Sequence, residues 1–264
     1  MFKFSEQCNY LMPAHFGGYE GQPVPNTYRD VTSIVVSYES DADMLTQYIP
    51  GAFELTRPVV NVQYAMCRAV DWLAGGGYNL ITVSVPVVYA RDVEHLEGLY
   101  VLVIWEDKTA PILAGREQSG MPKIFADIED LHLLSDRVFT HASYEGSAFL
   151  RMDLRKTSQL GPEELATLNQ QLGKVNAFGW RYIPNTGRPG AALSHATMYP
   201  QEYPFTAAWH GEGRVHWEAP TPEQHPTQAH IIQALSRLPI KAYRDCLMTE
   251  GGVVLRNDIA RPLP

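Results

Sequence analysis

Between Pro58 and Cys67 the side chains change character at every step, with Val60, Val62 and Tyr64 alternating against Asn61 and Gln63. A period of two is that of a pleated strand, and it gives the resulting sheet two unlike faces. Val62 and Gln63 look in opposite directions. If the outer face is the apolar one, Gln63 looks into a barrel lumen. Comparable β-rich runs recur at Thr32 to Tyr38, Tyr78 to Tyr89, Leu99 to Trp105, Ile128 to Leu134, Arg137 to Tyr144 and Ala148 to Leu154. Pro86 predicts a bulge or an edge in the second of these. Tyr199 to Trp217 reads as two strands about a Gly211-Glu212-Gly213 turn, and Ala242 to Leu255 closes the chain with a break at Gly251-Gly252.

Helical periodicity is confined to a few places. Asp41 is placed to cap a short helix, Pro162 opens one running through Leu172 to Val175, and Thr227 precedes another through Leu238. The glycine-, proline- and arginine-rich residues 179–192 read as a surface loop, and Asp92 to Glu97 as an acidic turn. Many strands and few helices imply an α+β fold built on a curved or closed sheet. No repeat or clean linker divides the chain, so one domain over residues 1–264 is expected. Residues 1–27 show no sustained period and read as an arm wrapping the surface or a neighbouring subunit.

Composition narrows the function classes. A formal net charge of −8 disfavours non-specific nucleic-acid binding. No apolar run approaches the roughly 20 residues of a membrane span. The N-terminal Met1-Phe2-Lys3-Phe4-Ser5-Glu6 lacks an apolar signal core, and Cys8, Cys67 and Cys246 are widely spaced and odd in number. Reduced thiols and a cytoplasmic location are therefore expected. The nine histidines show no metal-ligand spacing, so no metal and no cofactor is assigned. No Gly-x-Ser-x-Gly elbow, P-loop or dinucleotide fingerprint is present.

One stretch carries chemistry. After the apolar run Leu99 to Trp105 come a charged Glu106-Asp107-Lys108 turn, a short Ile112-Leu113-Ala114 run, and then Gly115-Arg116-Glu117-Gln118-Ser119-Gly120-Met121-Pro122-Lys123-Ile124. The glycines and proline constrain a loop that presents Lys123 against apolar neighbours. Desolvation favours the neutral, nucleophilic amine, which can attack a ketone to form a Schiff base. The plain alternative is a surface lysine after a turn. Arg116 and Glu117 are either catalytic groups or an ion pair bracing the loop. Arg29 either grips a substrate carboxylate or ties the arm down. Tyr78 and Trp209 are either core aromatics or substrate contacts.

Gly-Arg-Glu followed after four residues by Pro-Lys resembles the active-site signature of the acetoacetate decarboxylase superfamily. Tyr28-Arg29-Asp30, Arg57-Pro58 to Gln63, Ala208-Trp209-His210-Gly211 and Leu238-Pro239-Ile240-Lys241 are similar to other segments of that family, in order. The resemblance implies a cone-like, largely antiparallel β-barrel with a few helices packed outside, and a homo-oligomer of four or more subunits. It also implies Lys123, Gln118 and Glu117 as catalytic residues, with Arg29, Gln63, Tyr78, Leu80, Arg116 and Ile124 around the substrate. Three departures stand out. Ile124 replaces a second lysine, and Gln63 and Leu80 stand where the decarboxylases carry glutamates. A pocket without those charges suits a carboxylate that is retained, as in pyruvate. The expected activity is that of a lysine Schiff-base lyase on 2-oxo acids, of the aldolase-dehydratase or hydratase kind, with an aldehyde as second partner. Decarboxylation of acetoacetate or a similar β-keto acid is the alternative, and a non-catalytic small-molecule barrel the third.

Overall fold

The computed structural model describes residues 2–91, 94–244 and 246–264. Its backbone follows the β-branched runs. Asn26–Glu39 (β1), Val59–Val70 (β2), Tyr78–Arg91 (β3) and Glu94–Glu106 (β4) form a meander in which each strand pairs antiparallel with the next. The short strand Lys123–Phe125 (β5) lies parallel to the end of β4. Downstream come Arg137–Tyr144 (β6), Ser147–Gln159 (β7), Lys174–Pro184 (β8), Ala191–Glu202 (β9), Phe205–Trp217 (β10) and Cys246–Leu255 (β11).

These strands form one large curled sheet in the order β6-β7-β10-β11-β9-β8-β4-β3-β2-β1. A further pairing joins β11 to β1, with Leu247 opposite Val35. The path β1-β2-β3-β4-β8-β9-β11 thereby closes into a ring. Parallel pairing is limited to β4 with β5 and with β8, so the sheet is largely antiparallel as expected. Helices are few: Ala42–Thr46 (α1), Thr109–Ala114 (α2), Pro162–Leu172 (α3) and Ala229–Arg237 (α4). None is long and apolar enough to cross a membrane. Asp41 caps α1 as expected, its side chain accepting from the Met44 amide.

The two faces of the ring have different fates. One carries Ile34, Val36, Val62, Tyr64, Ile81 and Trp105 into the main core. There they meet Phe149, Met152 and Leu154 of β7 and Ile232 and Leu235 of α4. Full burial of each such side chain contributes about 1.5–3 kcal/mol. The other face carries Val31, Ala65, Cys67, Tyr78, Ile104, Ala177 and Tyr199 into two small clusters that share Leu80 and Leu255. Strands from all round the ring contribute to these clusters, so this face lines its interior.

Several local expectations are corrected. Residues 179–192 are the end of β8, a turn, and the start of β9 rather than a surface loop. Gly179 lies within β8, where a side chain would strike the Gly120 carbonyl oxygen at 2.7 Å. Gly211 and Gly213 lie inside β10 and make no turn. Side chains there would meet Leu154 at 2.5 Å and Val36 at 2.6 Å. In both places glycine permits a close approach, at Gly211 to the neighbouring strand β7. Pro86 sits where β2 has left β3 and the short strand Phe53–Leu55 has not yet joined it, so its missing N–H goes unneeded. The Pro162 helix stops at Leu172, and α4 begins after Gln228 with no side-chain cap. Asp92 and Val93, at the start of the expected acidic turn, lie outside the described residues, while Glu94 to Glu97 belong to β4.

Candidate active site

The site grows out of the junction of β4 and β5. Cross-strand register places Ser33, Ala65, Leu80 and Glu106 in one row on the interior face of the ring. Val35, Gln63, Thr82, Ile104 and Lys123 form the next row. Lys123 therefore starts opposite Ile104, two residues from Glu106 and on the same face. Its Nζ donates to Glu106 Oε1 at 2.7 Å and to the Pro111 carbonyl at 3.3 Å. The lysine side chain is 12% exposed and the glutamate 0%.

Local chain geometry makes this approach feasible. After α2 the chain widens into a single π-helical turn, Gly115–Ser119, and leaves it through Gly120 at φ 69°, a left-handed conformation that favours glycine. The Met121 amide then bonds back to the Gly115 carbonyl at 3.0 Å. Lys123 lies directly across Gly115, where an added Cβ would stand 2.4 Å from its Cδ and 2.5 Å from its Cε. The Arg116 guanidinium donates to the Lys123 carbonyl at 3.0 Å, fixing the backbone that carries the amine.

A cavity of about 40 Å³ opens at the lysine, bounded by Tyr28, Trp72, Gln118, Ser119, Tyr199 and Lys123 among others. Several groups behind it are deeply buried. Burial raises the Glu106 pKa above its ordinary carboxylate value, with the Lys123 charge opposing the rise. Glu106 Oε2 is buried and has no hydrogen-bond partner. Burial also pushes the Tyr28 phenol up to about 12, Tyr78 well above its ordinary value, and the Cys67 thiol up to about 12. The charge of Glu106 adds to the Cys67 rise, so this cysteine is a protonated wall group and not a nucleophile. What remains is an amine at the cavity with a fully buried carboxylate 2.7 Å behind it, one oxygen of which has no partner among the described residues.

The structure distributes the sequence candidates unevenly. Gln118 borders the cavity, whereas Glu117 is part-buried on the same turn and is not among its lining residues. Arg116 is exposed and bonds to backbone, so the buried Arg116–Glu117 ion pair is not formed. Gln63 faces the interior but donates to Ser33 Oγ at 3.1 Å. Leu80 stands directly opposite Glu106, and Tyr78 bonds to Tyr28 at 3.0 Å. Arg29 makes a bidentate pair with Asp71, both contacts 2.8 Å, with side chains 67% and 46% exposed. It fastens the Asp71–Leu73 turn that carries Trp72, and does not border the cavity.

Ile124, expected beside the amine, is opposite Trp105 and packs on the main core. Successive residues of a strand point to opposite faces, so 123 and 124 cannot share a pocket. The expectation of a site stripped of anions is also corrected. Glu106 is not part of a turn but the last residue of β4, fully buried beside the amine. Counting the period of two through Ile104 would have found it. Tyr28, Trp72, Tyr199 and Asn257 also border the cavity, and no local motif announces them.

Comparison with known proteins agrees with this architecture. The acetoacetate decarboxylase of Burkholderia ambifaria (strain MC40-6) is 27% identical over 188 residues, 71% of this chain and 72% of that protein. Among solved structures, the acetoacetate decarboxylase of Legionella pneumophila superposes with a TM-score of 0.76 at 21% identity, covering 94% of this chain and 91% of that one. The enduracididine biosynthesis enzyme MppR, complexed with the condensation product of pyruvate and imidazole 4-carboxaldehyde, superposes with a TM-score of 0.72 at 14% identity, covering 98% and 97%. An acetoacetate decarboxylase-like enzyme from Sphingomonas wittichii RW1 superposes at 0.72 and 15% identity, covering 97% and 98%. The family's sequence model, described as acetoacetate decarboxylase (ADC), matches residues 11–257. With its ring, its buried lysine and this match over most of its length, the chain belongs to the acetoacetate decarboxylase family.

Proposed function

We propose that this protein is a Schiff-base lyase for small oxo acids, in which Lys123 is the nucleophile and Glu106 moves its protons. The supporting observation is the 2.7 Å contact between Lys123 Nζ and Glu106 Oε1 inside the ring. Burial raises the Glu106 pKa, so at this distance Glu106 can take a proton from Nζ and leave a free amine. The amine adds to the ketone carbonyl to give a carbinolamine, and Glu106 returns the proton to its hydroxyl, which departs as water to leave the iminium.

For pyruvate, the iminium acidifies the adjacent methyl group. Glu106 then accepts a C3 proton to give an enamine, which attacks an aldehyde. Loss of water gives an unsaturated oxo acid. Two observations favour a substrate that keeps its carboxylate. Gln63 and Leu80 bring no negative charge to the interior face, and Gln118 offers a neutral donor at the cavity. MppR, of similar fold, was captured with a pyruvate condensation product. A second reading has its own support: the Glu106 carboxylate would repel that of a β-keto acid, and the Burkholderia relative is an acetoacetate decarboxylase. The N-terminal arm, with Phe4, Phe16 and Tyr19 exposed, suits contact between copies in a homo-oligomer.

Borohydride trapping decides the shared step. With pyruvate or acetoacetate, but not without an oxo acid, a stable mass increment should appear on the peptide containing Lys123. Lys123→Ala should abolish the increment and turnover together. Labelling elsewhere, or none, sinks the proposal. Deuterium exchange into the pyruvate methyl group, set against carbon dioxide release from acetoacetate, then separates the two readings.

A further inference from the structure

The polarity of one hydrogen-bond chain in the cavity wall follows from donor counting and from which phenol borders the cavity. Tyr28 OH lies 3.2 Å from Trp72 Nε1 and 3.0 Å from Tyr78 OH. An indole N–H only donates, so Trp72 occupies one acceptor site on the Tyr28 oxygen. Tyr78 is 4% exposed, and its hydroxyl makes no other hydrogen bond among the described residues. Whichever way the pair is oriented, one phenolic proton is left without a protein acceptor. Tyr28 borders the cavity, where a bound ligand can take that proton, and Tyr78 does not, so the orientation in which Tyr78 donates to Tyr28 is the one the site favours. Both acceptor sites of the Tyr28 oxygen are then filled, and its own proton has no protein acceptor. Tyr28 borders the same cavity as Lys123.

The other phenol on the cavity is already committed. Tyr199 OH donates to Asn257 Oδ1, and the Asn257 amide donates to the Val24 carbonyl. Burial keeps Tyr28 protonated across the physiological range, so it presents a neutral donor and brings no charge that would repel an anion.

Resting on the Schiff-base reading above, we propose that Tyr28 is the carboxylate-recognition residue of the site, donating its phenolic proton to the carboxylate of a bound 2-oxo acid. Trp72 and Tyr78 bond to the Tyr28 oxygen and leave its proton to the cavity. In a 2-oxo acid the carboxylate is bonded to the imine carbon, so a single donor on the wall of so narrow a cavity serves recognition while Lys123 does the chemistry. Arg29, turned outward onto Asp71, leaves this role open.

The test compares the borohydride trapping efficiency of pyruvate with that of its neutral methyl ester, as a ratio within each protein. Wild type should prefer pyruvate. Tyr28→Phe, which keeps the ring, should lower the ratio by about tenfold or more, as expected for a lost hydrogen bond to a charged group, with ester trapping little changed. Tyr78→Phe should leave most of the preference intact, because the Tyr28 proton is still free. An unchanged ratio in Tyr28→Phe overturns the proposal, as does a preference that vanishes in Tyr78→Phe and survives in Tyr28→Phe. Absence of any preference in wild type overturns it without a variant. If wild type traps neither compound on Lys123, the Schiff-base reading itself fails.

Discussion

Lys123 and Ile124 are neighbours on a three-residue strand and inhabit different solvents. Ile124 joins Trp105, Ile81 and Tyr64 on a face where nearly every contact is apolar. Lys123 joins Glu106, Cys67, Tyr28 and Tyr78 on a face that is less completely buried and chemically mixed. The difference is one of shape. The main core lies between the ring and a second layer and can be packed to completion. The interior of a seven-strand ring leaves a narrow gap, here a cavity of about 40 Å³. Unpartnered hydroxyls occur in the main core too, at Tyr38 and Tyr64, so what sets the site apart is charge: Glu106 is fully buried against Lys123, and its Oε2 has no partner among the described residues.

Three changes probe this contrast, beginning with the strongest. Glu106→Gln keeps the shape of the interior wall and removes its base. Trapping and turnover should fall by about 10²–10⁴-fold, as for loss of a general acid–base group. The same variant tests the electrostatics. Because burial raises the Glu106 pKa above its ordinary 4.5, the folded chain holds that proton more tightly than the unfolded chain. Its contribution to stability is complete below pH 4.5 and is lost as pH rises through the folded value. Denaturant titrations should show that decline in wild type and not in the variant. Parallel profiles would mean that Glu106 is not desolvated.

Gly115→Ala should come next. A Cβ 2.4 Å from Lys123 Cδ must push the side chain aside. A displacement near 1 Å costs about 10²-fold in rate when geometry carries the chemistry. Trapping kinetics close to wild type would show that the amine tolerates another path to the cavity. The smallest catalytic effect belongs to Ile124→Ala. It should lower unfolding free energy by about 2 kcal/mol, as for a partly buried large-to-small change, and leave the pH–rate profile of trapping unaltered. A shifted profile would place residue 124 beside the amine after all.

Much of the fold was legible because a half-buried strand writes its period into the chain. The alternation from Val60 to Tyr64 put Gln63 on the interior face, where it is found. The lysine was singled out through glycines and a proline read as a loop, whereas it opens strand β5 beside β4. Glycine misled elsewhere because it has two uses. At Gly120 it supplies a left-handed backbone, whereas at Gly179, Gly211 and Gly213 it permits a close approach. Glu106 was hidden by its neighbours Asp107 and Lys108, which make a charged triplet look like a turn. The cavity wall was hidden for a different reason. Tyr28, Trp72, Tyr199 and Asn257 come from four distant segments and meet only because the ring closes. Arg29 was legible as a residue with a carboxylate partner, and that partner is Asp71 of the same chain.

The closure of the ring also orders events during synthesis. Lys123, Glu106, Tyr28 and Tyr78 all belong to the first half of the chain, whereas Tyr199, Leu255 and the strand that seals β1 are among the last to leave the ribosome. Val35 waits for Leu247. Pairings so distant in sequence form late, because their loop-closure entropy must be met before they add stability. Until then Lys123 lies open to water on the side that Tyr199 and Leu255 later cover. The cavity thus belongs to the completed chain and not to the nascent one.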